Sequence, residues 1–262
     1  MTEQALGAGS PYVLAAWSPD AAEVGWRVGN YLKKQLPHGE LEEIEPLGFF
    51  PLGGVEIKGD VIGFPRAKFY ALEGKDLVLF QATQPTSKRY RFLSLFLDAV
   101  LRLNSSGVCT VGGIISMIAH TDERKILAVV NAEELKEGLA GYDLDTSLDY
   151  QGTTSMSGFL LWVARQRKVP AVSFWVNVPF YLAEKTDPRA NKAVLHFLNR
   201  RFGLGLNLED LDREIEIQEE QIARLRRQNR EVDEYIARLE LNVGLTQQEV
   251  GRLVEEINRA MA

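Results

Sequence analysis

The chain has 262 residues, of which 45% are hydrophobic and 25% charged, a composition that excludes a largely disordered protein. Its net charge of −6 argues against a nucleic-acid-binding protein, because no overall excess of lysine and arginine exists to neutralise phosphates. The length fits one large α/β domain, or one domain with an appendage. The basic run at residues 88–91 is the local exception, and we interpret it as the solvated start of a helix.

Other sequence features predict the compartment. Cys109 is the only cysteine, so the chain forms no internal disulfide, and its apolar neighbours indicate a small buried hydrophobic residue. The amino terminus carries Glu3 and no basic stretch before an apolar core, which argues against a secretory signal. No apolar run reaches the length of a membrane span. We therefore expect a cytoplasmic protein that binds neither membrane nor nucleic acid.

The first third of the chain predicts a strand, a helix and an antiparallel excursion. Residues 12–17 form a short, continuously apolar run, which is typical of a buried strand. After a turn, apolar residues recur at helical spacing over 24–36. Residues 41–46 predict an acidic edge strand, and the alternation over 55–72 predicts an antiparallel hairpin or meander.

From residue 76 onward, apolar runs alternate with segments of helical periodicity. The predicted strands are 76–81, 108–111, 125–131 and 171–176. The predicted helices are 86–101, 132–137, 159–168 and 188–202. Repeated strand–helix units predict a mixed, mostly parallel sheet with helices on both faces, and we assign residues 1–205 to this α/β core domain.

The segment 108–116 joins an apolar, β-branched run to a glycine pair, Gly112 and Gly113. We expect a buried parallel strand that ends at this pair, where the backbone turns tightly at the edge of the sheet. Open α/β sheets bind ligands at such carboxyl-end turns, so Gly112, Gly113 and Ser116 are candidate pocket residues. Ser116 lacks the Gly-x-Ser-x-Gly spacing of a nucleophile elbow, and only His120 lies near it as a base. We predict no catalytic residue.

A second polar loop, residues 152–158, precedes a predicted helix and carries hydroxyl groups on Thr153, Thr154, Ser155 and Ser157. With its flanking glycines it predicts either a site for an anion, held by backbone N–H groups at the helix amino terminus, or an ordinary helix cap. We expect it at the same sheet edge as the glycine pair. A nucleotide site is not predicted, because the Walker lysine and the Gly-x-Gly-x-x-Gly pattern are both absent.

The connection before this loop contains Asp143, Asp145 and Asp149, whose spacing faintly resembles that of a calcium loop. The glycine and the distal glutamate of an EF-hand are missing, so we interpret the connection as a solvated loop. We expect the protein to need neither a metal nor a cofactor.

From residue 207 the chain changes character, and apolar residues step by four and three alternately for about four heptads. A continuous helix of about 33 residues would be about 50 Å long, more than a domain of this size covers, so the seam needs a partner helix. We assign residues 206–262 to this extension. The seam positions that we assign to oligomerisation are Leu211, Ile215, Ile222, Leu225, Asn229, Val232, Ile236 and Leu239.

Several arrangements of this seam stay open. Isoleucine at one seam position, leucine or valine at the other and a buried Asn229 favour a parallel dimer, whereas Gln218 leaves a trimer open. The helix could instead lie on its own domain, or pack against a last helix that folds back. A capping box, Thr246 with Glu249, predicts that last helix after a break at 242–244.

The order of several short motifs resembles that of bacterial and archaeal members of the proteasome assembly chaperone 2 family. The motifs are residues 12–17 followed by 23–25, 65–70, 76–81 with Gln84 and Pro85, 110–113, and 157–161. The resemblance implies a phosphorylase/hydrolase-like α/β fold, homo-oligomers, and a chaperone or adaptor role without catalysis. Some archaeal relatives dock on the proteasome through a C-terminal hydrophobic–tyrosine–any-residue motif. Residues 259–262 do not match it, so we do not expect docking by that route.

Two functions follow from the sequence. The first is a non-enzymatic, homo-oligomeric scaffold or assembly chaperone of the kind that the resemblance implies, which binds itself and another protein complex. The alternative is a small-molecule-binding protein or a phosphorylase/hydrolase-like enzyme that acts on an anionic substrate between 112–116 and 152–158. The missing nucleophile–base pair favours the first function.

Overall fold

The structure of the protein is a computed structural model, and it describes residues 9–46, 48–50, 56–147, 149, 152 and 154–261. Within these ranges the strands are β1 (Tyr12–Ser18), β2 (His38–Glu43), β3 (Glu56–Lys58), β4 (Val61–Gly63), β5 (Ala67–Leu72), β6 (Leu77–Thr83), β7 (Gly107–Ser116), β8 (Ile126–Val130), β9 (Leu144–Asp145) and β10 (Ala171–Pro179). The helices are α1 (Val24–Gln35), α2 (Arg89–Arg102), α3 (Met156–Gln166), α4 (Pro188–Phe202), α5 (Glu209–Gln228), α6 (Arg230–Glu240) and α7 (Gln247–Ala260). Each helix in the described ranges is too short or too polar to cross a membrane.

Eight strands form one sheet in the order β2-β5-β6-β1-β7-β10-β8-β9, and β3 pairs with β4 in a separate hairpin. The central strands β6, β1, β7 and β10 are mutually parallel, whereas β5 and β8 run antiparallel to these neighbours. Continuously apolar strands suit the centre of the sheet, because helices cover both of its faces. The predicted fold class, a mixed and mostly parallel sheet with helices on both faces, is confirmed.

Alternate residues of the central strands point to two separate hydrophobic clusters. In β1, Leu14 and Ala16 join the cluster of α1, α4 and the C-terminal helices. Val13, Ala15 and Trp17 join the cluster of α2 and α3 on the opposite face. The helices α1 and α4 therefore cover one face of the sheet, and α2 and α3 cover the other.

The alternating region 55–72 divides between two sheets, with residue 55 outside the described ranges. β3 and β4 pair across a turn in which Gly59 and Asp60 have positive φ angles of 56° and 61°. β5 instead enters the main sheet between β2 and β6, where its apolar side chains are buried. The predicted antiparallel pairing is confirmed for β3 with β4 and for β5 with β2 and β6. Pairing of the first run with the second is wrong, because the second run is apolar enough for the interior of the large sheet.

The glycine pair lies inside a strand and not at its end. β7 continues through Gly112 and Gly113, and it pairs with β10 from Val108 to Ser116. The tight turn predicted at this pair is therefore wrong. Glycine is needed here for close packing instead, because the loop after β1 crosses the strand at Gly113 and leaves no room for a side chain.

The C-terminal extension consists of three helices. α5 ends just before Asn229, whose side chain accepts hydrogen bonds from the N–H groups of Glu231 and Val232 and caps α6. The predicted continuous helix is therefore wrong, because asparagine stabilises a helix start far better than a helix interior. The predicted capping box of Thr246 with Glu249 is confirmed at the start of α7.

The seam packs within its own chain. Leu225 packs partly buried against the cluster of α1 and α4, Ile215 lines a groove beside α4, and Asn229 is the cap of α6. The other five seam residues are buried in that same cluster: Leu211, Ile222, Val232, Ile236 and Leu239. These buried side chains are unavailable to a helix of a second copy, so the predicted coiled coil between copies is replaced by packing on the chain's own domain. Self-association itself stays a prediction, as does the division into 1–205 and 206–262.

Candidate functional site

The loops that follow β1, β6, β7 and β10 lie at the carboxyl edge of the parallel strands, which is where the sites of open α/β sheets occur. Two polar networks occupy this edge. One centres on Asp20 after β1, and the other on Arg124 and Asp187, in the loops after β7 and β10. These networks and the apolar side chains beside them form the candidate site.

Asp20 joins α1 and β7 at this edge. Its Oδ2 accepts hydrogen bonds from the N–H groups of Gly25 at 3.1 Å and Gly113 at 3.0 Å. Its Oδ1 is buried without a hydrogen-bond partner among the described residues. Burial raises the pKa of the Asp20 carboxyl to about 7, although the two N–H groups act in the opposite direction. The carboxyl therefore keeps its proton up to near-neutral pH.

The loop between β1 and α1 has an uncommon backbone conformation. Ala22 and Glu23 have positive φ angles of 53° and 52°, a region that costs a non-glycine residue about 1–2 kcal/mol. The Ala22 N–H donates to the carbonyl oxygen of Ala183, in the loop after β10, at 2.7 Å. This bond ties the loops after β1 and β10 together and holds the uncommon conformation in place.

Gly113→Ala is expected to lower the free energy of unfolding by about 1–3 kcal/mol, as overpacking does elsewhere. A Cβ atom here would lie closer to the carbonyl oxygen of Ala21 than van der Waals contact allows, and a backbone oxygen cannot rotate away. Urea denaturation measures the loss. Gly138→Ala is the matched control, because a Cβ there meets no atom within 4 Å. Equal losses in both variants would contradict the close approach at Gly113.

Ser116 and His120 make hydrogen bonds to other groups and none to each other. The Ser116 hydroxyl donates to the carbonyl oxygen of Ile114 at 3.3 Å. The backbone N–H of His120 donates to the Tyr181 hydroxyl oxygen at 2.6 Å, and its Nδ1 lies 2.9 Å from the same oxygen. Burial lowers the pKa of His120 to about 4, so the ring is neutral at pH 7. The imidazole is therefore part of the fold and is not directed at Ser116.

The second network is a buried ion pair. Arg124 Nε donates to Asp187 Oδ2 at 2.8 Å, and the two side chains are 1% and 0% exposed. The guanidinium also donates to the carbonyl oxygens of His120 at 3.1 Å and Asp122 at 2.5 Å. Asp187 Oδ1 accepts the N–H of Ala190 at 3.0 Å and caps α4. The pair therefore fixes the loop after β7 against the start of α4.

The C-terminal helices pack over this network. Gln218 of α5 donates to the carbonyl oxygen of Thr186 at 2.7 Å. Lys185 donates to the carbonyl oxygen of Asn258 in α7 at 3.4 Å. The polar groups of the second network are thus engaged with each other and with the C-terminal helices, and the side chains of the ion pair are buried.

The hydroxyl-rich loop forms a helix cap. The Ser155 side chain accepts the N–H of Gly158 at 3.0 Å at the start of α3. Thr154 Oγ1 donates to the Ser155 carbonyl oxygen at 3.3 Å, Ser157 is buried, and Thr153 lies outside the described residues. Among the described residues, no hydrogen bond joins this loop to the predicted pocket residues of β7. Its capping role is confirmed, and its anion-binding role stays a prediction.

The remaining candidates are the aspartates considered for metal binding and the thiol of Cys109. In the part of the chain that the structure describes, no group of three or more His, Cys, Asp or Glu side chains is placed to hold a metal ion. Asp145 accepts hydrogen bonds from the Ser147 N–H at 2.9 Å and the Ser147 hydroxyl at 2.6 Å, as in an ordinary turn. Burial raises the pKa of the Cys109 thiol to about 12, which agrees with its predicted role as a buried hydrophobic residue.

Apolar side chains are exposed beside the two networks. Ile115 and Met117, at the end of β7 and just after it, are 59% and 49% exposed. The β3–β4 hairpin connects β2 to β5 at the same end of the sheet, and it exposes Val61, Ile62 and Phe64. Bonded polar groups next to exposed apolar ones are more typical of a protein-docking surface than of a substrate pocket.

Comparison with known proteins identifies the family. The model of the PAC2 family matches residues 17–226, most of the chain. The chain belongs to the PAC2 family. The resemblance inferred from the sequence motifs is thereby confirmed, and the PAC2 match continues past residue 205 into α5.

Relatives and solved structures show the extent of the PAC2 similarity. The uncharacterised protein MJ0106 of Methanocaldococcus jannaschii is 27% identical over 222 residues, which cover 84% of this chain and 87% of that protein. The proteasome-assembly chaperone homologue Rv2125 of Mycobacterium tuberculosis has a TM-score of 0.72 at 21% identity, covering 86% of this chain and 99% of that one. The archaeal proteasome activator PbaB of Pyrococcus furiosus has a TM-score of 0.71 at 22% identity, covering 83% and 93%.

Proposed function

We propose that this PAC2 protein is a non-enzymatic, homo-oligomeric scaffold or assembly chaperone that binds another protein. The names of two similar solved structures, a proteasome-assembly chaperone homologue and a proteasome activator, support the proposal. The observation that carries it is the exposure of Ile115 and Met117 at a sheet edge whose polar groups are bonded within the chain. Docking at such a surface is favourable, because it removes apolar area from water.

The exposed side chains stand on a rigid support. β7 keeps its pairing with β10 to its last residue. Asp20 holds the N–H of Gly113 two residues before Ile115, and the buried Arg124–Asp187 pair fixes the loop that follows. Binding therefore requires little ordering of the backbone, which reduces its entropic cost.

The partner that the similar proteins suggest is a set of proteasome subunits from the organism that encodes this chain. Purified subunits mixed with the chain should form complexes that contain it, as measured by mass photometry. The Ile115→Asp/Met117→Asp double variant should weaken this binding at least about tenfold, because docking would bury two charges without partners. Leu101→Asp changes an exposed apolar residue at the far end of α2, so this matched control should bind like wild type.

Three results would count against the proposal. Failure of the wild-type chain to bind the subunits would remove them as the partner. Unchanged binding by the double variant, or an equal loss in Leu101→Asp, would remove this sheet edge as the docking surface. Self-association is measured separately, by sedimentation velocity of the wild-type chain alone, and a monomer across the accessible concentrations would contradict the homo-oligomer.

A further inference from the structure

The outer sides of α2 and α3 carry three large aromatic side chains, of which two are more than half exposed and one is partly buried. Tyr90 is 55% exposed and Trp162 is 52% exposed, with their ring centroids 6.5 Å apart. Phe159 stacks on Trp162 with a centroid distance of 5.8 Å and an interplanar angle of 13°. We call these three rings the aromatic patch. A contiguous exposed group of this kind is typical of an interaction surface.

Positive charge borders the aromatic patch. Arg165 follows Trp162 by three residues, so it lies on the same side of α3, and Arg91 is an exposed residue in the same first turn of α2 as Tyr90. Both arginines are exposed, and no carboxylate in the described ranges forms an ion pair with either of them. Arg167, by contrast, pairs with Asp98 at 2.5 Å. The patch therefore suits a partner that offers carboxylates around an apolar side chain.

The same chain carries such a surface on α5. Residues 209–220 contain seven carboxylates and one arginine. Ile217 is 50% exposed on this helix, and Glu214 and Glu220, each three residues away, lie on the same side. Both glutamates are exposed, and neither forms an ion pair within the described residues. This α5 face carries negative charge around an exposed apolar side chain, so it is complementary to the aromatic patch and its arginines.

The two surfaces cannot meet within one molecule. α2 and α3 cover one face of the sheet, whereas α5 packs with α4 on the opposite face. Pairing of the aromatic patch with its own copy would place Arg91 and Arg165 against the same arginines, and this repulsion disfavours a symmetric contact.

We propose that a second copy of this chain docks the Ile217 face of its α5 on the aromatic patch, in a head-to-tail contact. The inference rests on the homo-oligomer proposed above and names its interface. Because each copy then carries one donor surface and one acceptor surface on opposite faces, the contact repeats from copy to copy and gives a closed ring if the rotation between copies allows it.

Charge reversal tests this contact in solution. The variants are Arg91→Glu/Arg165→Glu, Glu214→Lys/Glu220→Lys, and a chain that carries all four substitutions. Each double variant should weaken self-association at least about tenfold, because like charges then face each other, and the fourfold variant should restore it. Mass photometry and sedimentation velocity measure the assembly, and circular dichroism checks the fold. Arg230→Glu/Glu234→Arg, a reversed exposed pair on α6 outside both surfaces, is the matched control and should assemble like wild type.

The outcomes separate this interface from the proposed function. A monomeric wild-type chain would contradict the homo-oligomer and with it the interface. An oligomeric wild type with unchanged double variants would overturn this interface alone. Two weakened double variants without recovery in the fourfold variant would also overturn it, because the two surfaces would then bind something other than each other.

Discussion

Asp187→Asn is expected to lower the free energy of unfolding by about 3–5 kcal/mol, because it removes one partner of a fully buried ion pair. Arg124 then keeps its charge where water does not reach, with only backbone carbonyl oxygens as partners. Asparagine still caps α4, since its side-chain oxygen can accept the Ala190 N–H as Asp187 Oδ1 does. The loss therefore reports the charge pair and not the cap.

A double-mutant cycle in urea measures this coupling. Arg124→Met removes the other charge, and the combined variant removes both. We expect the combined variant to be more stable than Asp187→Asn alone, because no buried charge is then left unpaired. Lys136→Met breaks an exposed ion pair with Glu133 and should cause no measurable change. Losses at Arg124 and Asp187 that simply add would contradict a coupled pair.

The centre of the fold could be predicted because each of its elements carries its own signal. Strands that are buried on both faces need apolar residues at every position, so the runs 12–17 and 76–81 correspond to β1 and β6. Helices that cover a sheet bury one side only, so the periodicity of α2 and α4 is visible in the sequence.

The C-terminal helices show where local patterns stop being sufficient. A heptad seam indicates which side of a helix is buried, but the same spacing serves a second copy or the chain's own domain. Asn229 can occupy a seam position or cap a helix, and both roles use the same residue type. Which of these two roles Asn229 takes depends on the packing of α6 against α5, and a local sequence pattern does not contain that information.

The networks at the carboxyl edge were missed because their members are distant in sequence. Arg124 and Asp187 are 63 residues apart, and His120 and Tyr181 are 61 apart. They meet only because β7 and β10 are neighbours in the sheet. Asp187 followed by a proline did carry the signal of a helix start, but not of an ion pair. Gly113 was misplaced for a related reason, since glycine is equally suited to a turn and to close packing.

The stability of the wild-type chain is expected to fall relative to that of Asp20→Asn as pH rises from about 4 to about 7. Burial raises the pKa of the folded Asp20 carboxyl from 3.8 to about 7. Between these values the folded chain keeps a proton that the unfolded chain has released. Each pH unit therefore lowers the free energy of unfolding by about 1.4 kcal/mol, or about 4 kcal/mol over the whole window. Above it both states are ionised, and the difference between the two chains becomes constant.

The contacts of Asp20 make asparagine a suitable probe. Oδ2 accepts both N–H groups, from Gly25 and Gly113, whereas Oδ1 is buried without a donor among the described residues. Asparagine keeps one oxygen for the two N–H groups and carries no charge at any pH. The pH dependence of the difference in stability therefore reports ionisation of Asp20 alone, even though other groups titrate in both chains.

Urea unfolding at whole pH units from about 4 to about 8 gives this difference directly. Asp60→Asn is the matched control, because Asp60 is exposed and its positive φ angle of 61° is one that asparagine also tolerates. Parallel profiles for wild type and Asp20→Asn would contradict the retained proton. A difference that grows in favour of wild type with rising pH would mean that the N–H groups of Gly25 and Gly113 stabilise the carboxylate more than burial disfavours it.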